Sequence, residues 1–584
     1  MRRRLLRAVP AVLVLVPLLA LAAAPRKKTR HAAKPASASA DLVLRHGAVY
    51  TVDAARRWAE AVAVANGRIV FVGRDADAER WIGPKTRIVD LAGKMLLPGF
   101  HDSHVHPIDG GIDSLEVDLH GLATPAEVLA RVHDYAVAHP DAPWVRGSGW
   151  ELPTFPNANP TKDLLDKIVP DRPVFLWAMD GHSAWVNSKA LAIAGVTKDT
   201  PDPPHGRIER DASGDPSGAL REDASDLVAS HLPKRTPKDH ADGLTAALRI
   251  ANGFGLTSLQ EARASEADLA AYAAADASGR LTARIVASIH CDTGKGAADV
   301  PRMVALRRKY HGRRLRADGV KIFADGVLET RTAAVLDPYV GFPGDRGKLN
   351  VEPDAFKALA VALDAEGFQI HVHAIGDRAI RVTLDALEAA RETNGARDSR
   401  HHIAHLELID PADIPRFRTL GVVANFQPFW ASGDEYLLKL TEPELGPARS
   451  RWLYPIRSVR DAGAEVAFGS DWDVSSLNPL DGIEVAVTHR EPSKGPGSGP
   501  PWLAEETIGL PEAIAAYTIG GAYLDFTERE TGSIETGKAA DLIVLDKNLF
   551  AIPPSRIHET KVLWTLLEGR EVFKAPGFSP APSP

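Results

Sequence analysis

The stretch Leu97-Pro98-Gly99-Phe100-His101-Asp102-Ser103-His104-Val105-His106 runs from apolar residues into a polar end marked by two histidines two positions apart. Read as one strand from Met95 to His106, it places His104 and His106 on the same side, because side chains alternate along a strand. Two imidazoles can then converge on one cation. Taken alone, such a pair is weak evidence and reads also as a polar strand end.

Seven further apolar runs follow: Gly255 to Ala262, Arg284 to Cys291, Gly319 to Asp325, Phe368 to Ile375, His402 to Leu408, Gly421 to Gln427 and Glu465 to Asp471. Most are separated by helix-sized spacers. Eight strands alternating with helices predict an α/β fold, a TIM-like (β/α)8 barrel over 94–530 rather than an open sheet. The one long gap, between His106 and Gly255, reads as an insertion over 107–250 that leaves from the catalytic face and covers it. It has its own strand-like run, Val174 to Met179, and holds Trp144, Trp150, Trp177 and Trp185. These tryptophans read as an aromatic core of the insertion or as a substrate-facing wall, with Trp150 the candidate for contact.

Outside the barrel the texture changes to short β runs. Leu42 to Val49, Ala61 to Ala65, Arg68 to Val72 and Arg87 to Leu91, with Asn66-Gly67 as a turn signal, predict a small antiparallel unit over 41–93. A similar texture returns over 531–574, in Asp541 to Asp546, Val562 to Leu567 and Glu571 to Phe573. Neither piece has enough strands for a core of its own, so the two are expected to pair into one β-sandwich. The proline-rich tail 575–584 is expected to be disordered.

The chain begins Met1-Arg2-Arg3-Arg4, then carries an uncharged apolar run from Ala8 to Ala24, the pattern of an export signal. Small residues at Ala22-Ala23-Ala24 and at Ala38-Ser39-Ala40 are the candidate cleavage sites; an uncleaved anchor flanked by the basic stretch Arg26 to Lys34 is the alternative. Either way the body is expected outside the cytoplasm, periplasmic or extracellular. Over 584 residues, 69 Lys+Arg face 76 Asp+Glu, a net charge of -7, so nothing calls for a nucleic-acid partner. Residues 1–40 hold nine of those basic groups and no acid; removing them leaves 60 against 76, or -16. A hydrophobic share of 45% and a charged share of 25% exclude a mainly disordered or polytopic membrane chain. The single cysteine, Cys291, excludes an intrachain disulfide and a polythiolate site, whereas 21 histidines supply nitrogen ligands.

The His-x-His geometry recurs. His371-Val372-His373 ends the fifth predicted strand, His405 lies in the sixth, and Asp471 ends the eighth. Catalytic residues of such barrels sit at the C-terminal strand ends, and imidazoles with a carboxylate suit zinc or a similar divalent ion. Lys321, in Gly319-Val320-Lys321-Ile322-Phe323-Ala324-Asp325-Gly326, is cationic in water, with pKa near ~10.4, and by itself reads as a salt-bridge partner.

These residues in this order, with Asp180-Gly181-His182-Ser183-Ala184-Trp185-Val186-Asn187-Ser188, Gly469-Ser470-Asp471-Trp472 and Gly532-Ser533-Ile534-Glu535-Thr536-Gly537-Lys538, resemble the amidohydrolase superfamily. Within it they are most similar to amidohydrolase family 3, in its N-substituted formamide deformylase-like branch. The chain departs from that pattern at His101 and Ala404. The resemblance implies a barrel with a sandwich from both termini and two Zn2+ per chain. His104 and His106 would hold one metal, His373 and His405 the other, a carboxylated Lys321 would bridge them, and Asp471 would be ligand and proton shuttle. It implies a hydrolase of non-peptide carbon–nitrogen bonds acting on a small amide or N-substituted formamide through metal-activated hydroxide. A deaminase, a cyclic-amide hydrolase and a metal-containing binding protein without turnover are the alternatives. His182 is expected to steady the carbonyl oxygen, and Glu329 and Arg331, past the fourth strand, to contact substrate or pair with each other. The oligomeric state is left open, a homo-oligomer included.

Overall fold

The computed structural model describes residues 39–179, 181, 183–203, 206–492, 500–579 and 581–582. Eight parallel strands form the central sheet: β1 (Phe100–Val105), β2 (Leu256–Ala264), β3 (Arg284–His290), β4 (Leu315–Phe323), β5 (Gln369–Ala374), β6 (His402–His405), β7 (Val423–Phe426) and β8 (Val466–Phe468). Each pairs with its neighbour in chain order, from β1 to β8. Strands covered on both faces read as continuous apolar runs, which is why all eight were visible in the sequence. Past the end of β8 the ring is drawn shut by two backbone bonds: the Asp471 N–H donates to the His104 carbonyl at 2.7 Å and the His106 N–H to Trp472 at 2.6 Å. The result is a nearly closed TIM-like barrel.

The predicted first strand is two strands. Met95–Pro98 belongs to a separate six-stranded sheet, pairing with Ala48–Tyr50 and Leu542–Leu545, and the barrel strand starts only at Phe100. At the break, the Gly99 N–H donates to the Asp541 carbonyl. That sheet also takes in Trp58–Ala59, Val562–Leu567 and Arg570–Lys574, so strands from both chain ends lie side by side. A five-stranded sheet holds Leu42–Arg45, Ala61–Ala65, Arg68–Gly73, Arg87–Asp90 and Ala581–Pro582. The two share one core, with Leu44, Val64, Leu96, Val544 and Trp564 buried in it. The unit is mixed rather than antiparallel, because Leu42–Arg45 runs parallel to Arg87–Asp90. Asn66-Gly67 does make the hairpin turn: both residues have positive φ, 52° and 75°, which glycine adopts without cost. The tail is not left out of the fold either, since Ala581–Pro582 pairs with Val89 and Asp90 at the sheet edge.

Between β1 and β2 lies a fourth sheet, of six strands, among them Val145–Trp150, Val174–Ala178 and Ser183–Val186. It has its own cores, one centred on Trp150, Phe155 and Trp185. The helix Pro237–Gly253 returns the chain to β2. It starts with a capping box in which Thr236 and Asp239 satisfy each other's backbone N–H groups, and it packs against the helix Pro107–Asp113 that follows β1. Among the described residues no helix is long and apolar enough to cross a membrane.

Candidate metal centre

The barrel mouth is assembled by closing β8 onto β1. Gly469 makes this contact feasible: a Cβ there would stand 2.5 Å from the His104 nitrogen, so any side chain would push the strand ends apart. Asp102, buried below, fastens the same junction by accepting the N–H of His104 at 3.1 Å and of Ser470 at 2.9 Å. Burial pushes its carboxyl up to about 7 against those bonds. Asp471 and His405 both take positive φ, 54° and 76°. Such backbone costs about 1–3 kcal/mol per residue and persists where the surroundings impose it, commonly at active sites.

The outcome is a tight cluster. The Nε2 atoms of His104 and His106 each lie 3.2 Å from Oδ1 of Asp471, and among the described residues that oxygen has no hydrogen-bond partner. One donor atom from each of the three lies within 4.8 Å of the others. Two imidazole nitrogens and a carboxylate oxygen converging on one point, with the oxygen otherwise unsatisfied, fit a divalent cation. His106 lies just past the end of β1 rather than in it, yet its ring still reaches the site.

The surrounding groups hold these side chains in place. Nδ1 of His104 is 2.9 Å from Nε2 of His371, whose Nδ1 is 2.9 Å from the Ser288 hydroxyl. His371 therefore fixes the His104 ring from behind and leaves its Nε2 facing Asp471. Nδ1 of His106 lies 3.6 Å from Glu261, which in turn accepts the Tyr272 hydroxyl at 2.7 Å. Burial drives His104 down to about 3 and holds His371 and His405 well below the usual imidazole range. For His106 burial works in the same sense but is outweighed by the Asp471 and Glu261 carboxylates, which raise it to about 10. Asp471 stays well below the usual carboxylate range, because His104 and His106 overcome its desolvation. His104 and Asp471 are thereby held in the neutral and ionised forms that ligate, whereas His106 has to give up a proton to do so.

Lys321 sits at the cluster's edge, its Nζ 3.2 Å from Nε2 of His104, and burial brings its pKa down to about 7. His373 and His405 stand side by side, ring centroids 4.5 Å apart, with His405 also 4.7 Å from His104. They adjoin the three-residue cluster without joining it: Nε2 of His373 contacts the Gly326 carbonyl at 3.1 Å, and Nδ1 of His405 has no hydrogen-bond partner among the described residues.

Above these groups opens a cavity of about 710 Å³, walled by Phe323, Trp430 and Val327 from the barrel and by Phe175, Trp177 and Met179 from the insertion. Trp150 is not part of the wall. It is fully buried, its indole N–H donating to the Leu176 carbonyl at 3.0 Å, and it packs on Trp185 and Phe155. Glu329 and Arg331 neither line the cavity nor pair with each other: Arg331 is held by Glu444 at 2.7 Å, and Oε1 of Glu329 accepts from Thr441. His182 lies outside the described residues. Asp102, Glu261 and Glu407 are the residues sequence reasoning passed over, and His371 was read only as half of the repeated His-x-His pair and given no role. His371 had a signal in its i,i+2 relation to His373; a lone carboxylate in a strand has none.

A family model described as the amidohydrolase family matches residues 87–573. The chain belongs to the amidohydrolase family. As an amidohydrolase it is a hydrolase acting on carbon–nitrogen bonds. Protein LONG AFTER FAR-RED 3 of Arabidopsis thaliana is 32% identical to it over 92% of each chain. The N-substituted formamide deformylase of Arthrobacter pascens is 30% identical, over 91% of this amidohydrolase and 97% of the relative. Among solved structures, an uncharacterized metal-dependent hydrolase from Pyrococcus furiosus superposes with a TM-score of 0.69 at 26% identity, covering 87% of this chain and 99% of that one.

Proposed function

We propose that this amidohydrolase is metal-dependent and cleaves the carbon–nitrogen bond of a small, non-peptide amide, an N-substituted formamide being the favoured class. One observation carries the reading: Oδ1 of Asp471, with no hydrogen-bond partner among the described residues, stands equidistant from the Nε2 atoms of His104 and His106. The name of the Arthrobacter relative supports the substrate class. His104, His106 and Asp471 would hold one cation, His373 and His405 a second, with Lys321 between them. Zinc suits these donors. When bound, such a cation supplies a hydroxide nucleophile near neutral pH and Lewis acidity toward the amide carbonyl.

The chain's own residues do the rest. Asp471 is ionised and close to where the nucleophile would stand, so it takes up a proton and returns it to the departing nitrogen. His371 and Glu261 keep the two histidines turned toward Asp471. Phe175, Trp177 and Trp430 screen the carbonyl from bulk water. Lys321, its charged form disfavoured by burial, offers the uncharged amine that adds carbon dioxide, and the resulting carbamate would carry the negative charge that a bridge between cations requires.

The signal-like N-terminus supports export. Of the two candidate cleavage sites, Ala22-Ala23-Ala24 is favoured. Ala40 is buried, its N–H donates to Trp81 at 2.8 Å and its carbonyl accepts from Thr86 at 2.6 Å, and cleavage after it would delete both bonds.

The test is a screen of N-formyl, N-acyl and cyclic amides against protein supplied with zinc and bicarbonate. Turnover of N-formyl amines that is abolished by a chelator and restored by zinc is the expected result. Turnover of aminopurines alone, or of no substrate by protein with zinc bound, would overturn the reading.

A further inference from the structure

A second cavity, as large as the one over the metal centre at about 710 Å³, opens on the flank of the barrel. It is a groove between the helix Pro237–Gly253 and the helix Glu266–Ala277, which lie before and after β2 in the chain. Leu244, Leu248 and Ala275 are its buried lining, and Ala267, Ala270 and Ala274 carry the apolar surface out to solvent. An apolar slot of this volume has the size of a small-molecule site, and exposed apolar surface of this kind marks binding.

The charged groups along the groove all have one sign. Among the described residues no carboxylate lines it, although acids outnumber bases in the chain by 76 to 69. Arg235, His240, Arg249 and Arg280 do line it. Two of these are already engaged, Arg235 with Glu116 at 2.8 Å and Nδ1 of His240 with Asp268 at 2.8 Å. At the other end, where both helices finish, Arg249 and Arg280 are in no ion pair among the described residues, and Arg280 meets only the Ser278 hydroxyl, through Nε at 2.9 Å. Asn252, beside them, has its amide nitrogen on the Leu256 and Thr282 carbonyls. The open donors at that end are therefore two guanidinium groups, which favour an anion. Shape then decides which anion. From Pro237 to Asn252 the first helix rises about 22 Å, so 710 Å³ spread over that length is a cross-section of about 32 Å². An α-helix with its side chains, about 10 Å across, needs more than twice that area, whereas an unbranched alkyl chain fits.

We propose that this groove binds a long-chain carboxylate, its alkyl chain along Leu244 and Leu248 and its carboxylate on Arg249 and Arg280. The site is separate from the metal centre and stands whether or not the proposed reaction does.

Calorimetric titration of the zinc-loaded full chain with decanoate, octanoate, 1-decanol and decyltrimethylammonium, each below its own aggregation concentration, tests this. Saturable binding of one decanoate per chain is expected, about 10-fold tighter than 1-decanol for the charge-assisted bonds, with decyltrimethylammonium weaker still. Two fewer methylenes should weaken octanoate by about 15-fold relative to decanoate. The paired substitution Arg249→Gln and Arg280→Gln is expected to erase the advantage over 1-decanol and leave the alcohol's own affinity in place. Ala274→Trp, which fills the slot, is expected to weaken decanoate and 1-decanol together. All three positions are exposed, so the variants are expected to fold, and the wild-type comparison decides by itself if they do not. No saturable decanoate binding, equal affinity for decanoate and 1-decanol, or a preference that survives loss of both arginines overturns the proposal. So does decanoate binding unchanged in Ala274→Trp, which would place the carboxylate at the zinc instead.

Discussion

The two ends of the barrel differ in how far their buried carboxylates are met by cationic side chains. At the base, where strands begin, ion pairs are dense, although Nε of Arg314 and both ring nitrogens of His402 keep no hydrogen-bond partner among the described residues. Asp364 is met by His401 at 3.1 Å, Arg397 at 2.6 Å and Asn394 at 2.9 Å. Arg284, at the start of β3, binds Asp541 and Glu568 across to the sheet built from both termini, and Arg314 joins Glu568 at 2.8 Å. At the mouth, Asp471, His405 and Glu407 each keep a buried atom without a hydrogen-bond partner among the described residues. Pairing at the base ties domains together, whereas the open atoms at the mouth are kept for something that arrives from outside. Barrel enzymes divide labour in this way between the face that holds and the face that reacts.

If the division is real, mutations at the two ends should have separable effects. Asp471→Asn is expected to lower kcat by about 10³-fold, since it removes the proton acceptor and a ligand, while the protein still unfolds in one cooperative thermal transition. A falling midpoint with kcat retained would make the mouth structural. Asp541→Ala should do the reverse, costing about 3 kcal/mol in urea unfolding by removing one of the two carboxylates on Arg284 and the acceptor of the Glu568 N–H, with kcat per folded molecule unchanged. The insertion offers a sharper contrast within one residue type. Trp150→Ala should cost about 3 kcal/mol of stability as a core truncation, whereas Trp177→Ala should mainly raise KM, by about 10-fold, because that ring faces the cavity. Equal stability losses for the two would erase the distinction between core and wall.

The smallest expected effect is in acid. Burial alone would raise Asp364, but the His401 and Asn394 bonds and the Arg397 charge outweigh it and hold the carboxyl below its usual range. A depressed carboxylate contributes stability that is fully present above its unfolded pKa, about 3.9, and is lost as pH falls through the lower folded value. Asp364→Asn should therefore flatten the decline in urea midpoint below about pH 4. An unchanged acid limb would mean that the pairs at the base contribute little.

The sequence disclosed the mouth better than the insertion for a physical reason. Parallel strands buried on both faces are apolar runs, so a histidine or aspartate at the end of one stands out, and His104, His106 and Asp471 were legible from type and position alone. Lys321 was legible only as a residue in β4; its neighbour His104 is 217 positions away. Asp102 and Glu261 carry no motif, because a single carboxylate in a strand has the same composition whether it binds backbone or substrate. The break at Gly99 was hidden because Met95–Pro98 and Phe100–Val105 are both apolar enough to read as one strand, and only pairing partners separate them. In the insertion, Trp150 and Trp177 are equal as letters. They differ because Trp150 sits between stacked strands, while Trp177 shares a strand with Phe175 and follows it toward the cavity.

The central claim is that closing β8 onto β1 builds a cation site from His104, His106 and Asp471. Zinc-edge anomalous diffraction from crystals of the protein purified with zinc tests it most directly. An anomalous peak within coordination distance of both Nε2 atoms and the Asp471 carboxylate is expected. Fully zinc-loaded protein with its peaks elsewhere, and those three side chains bonded only to one another, would contradict the account.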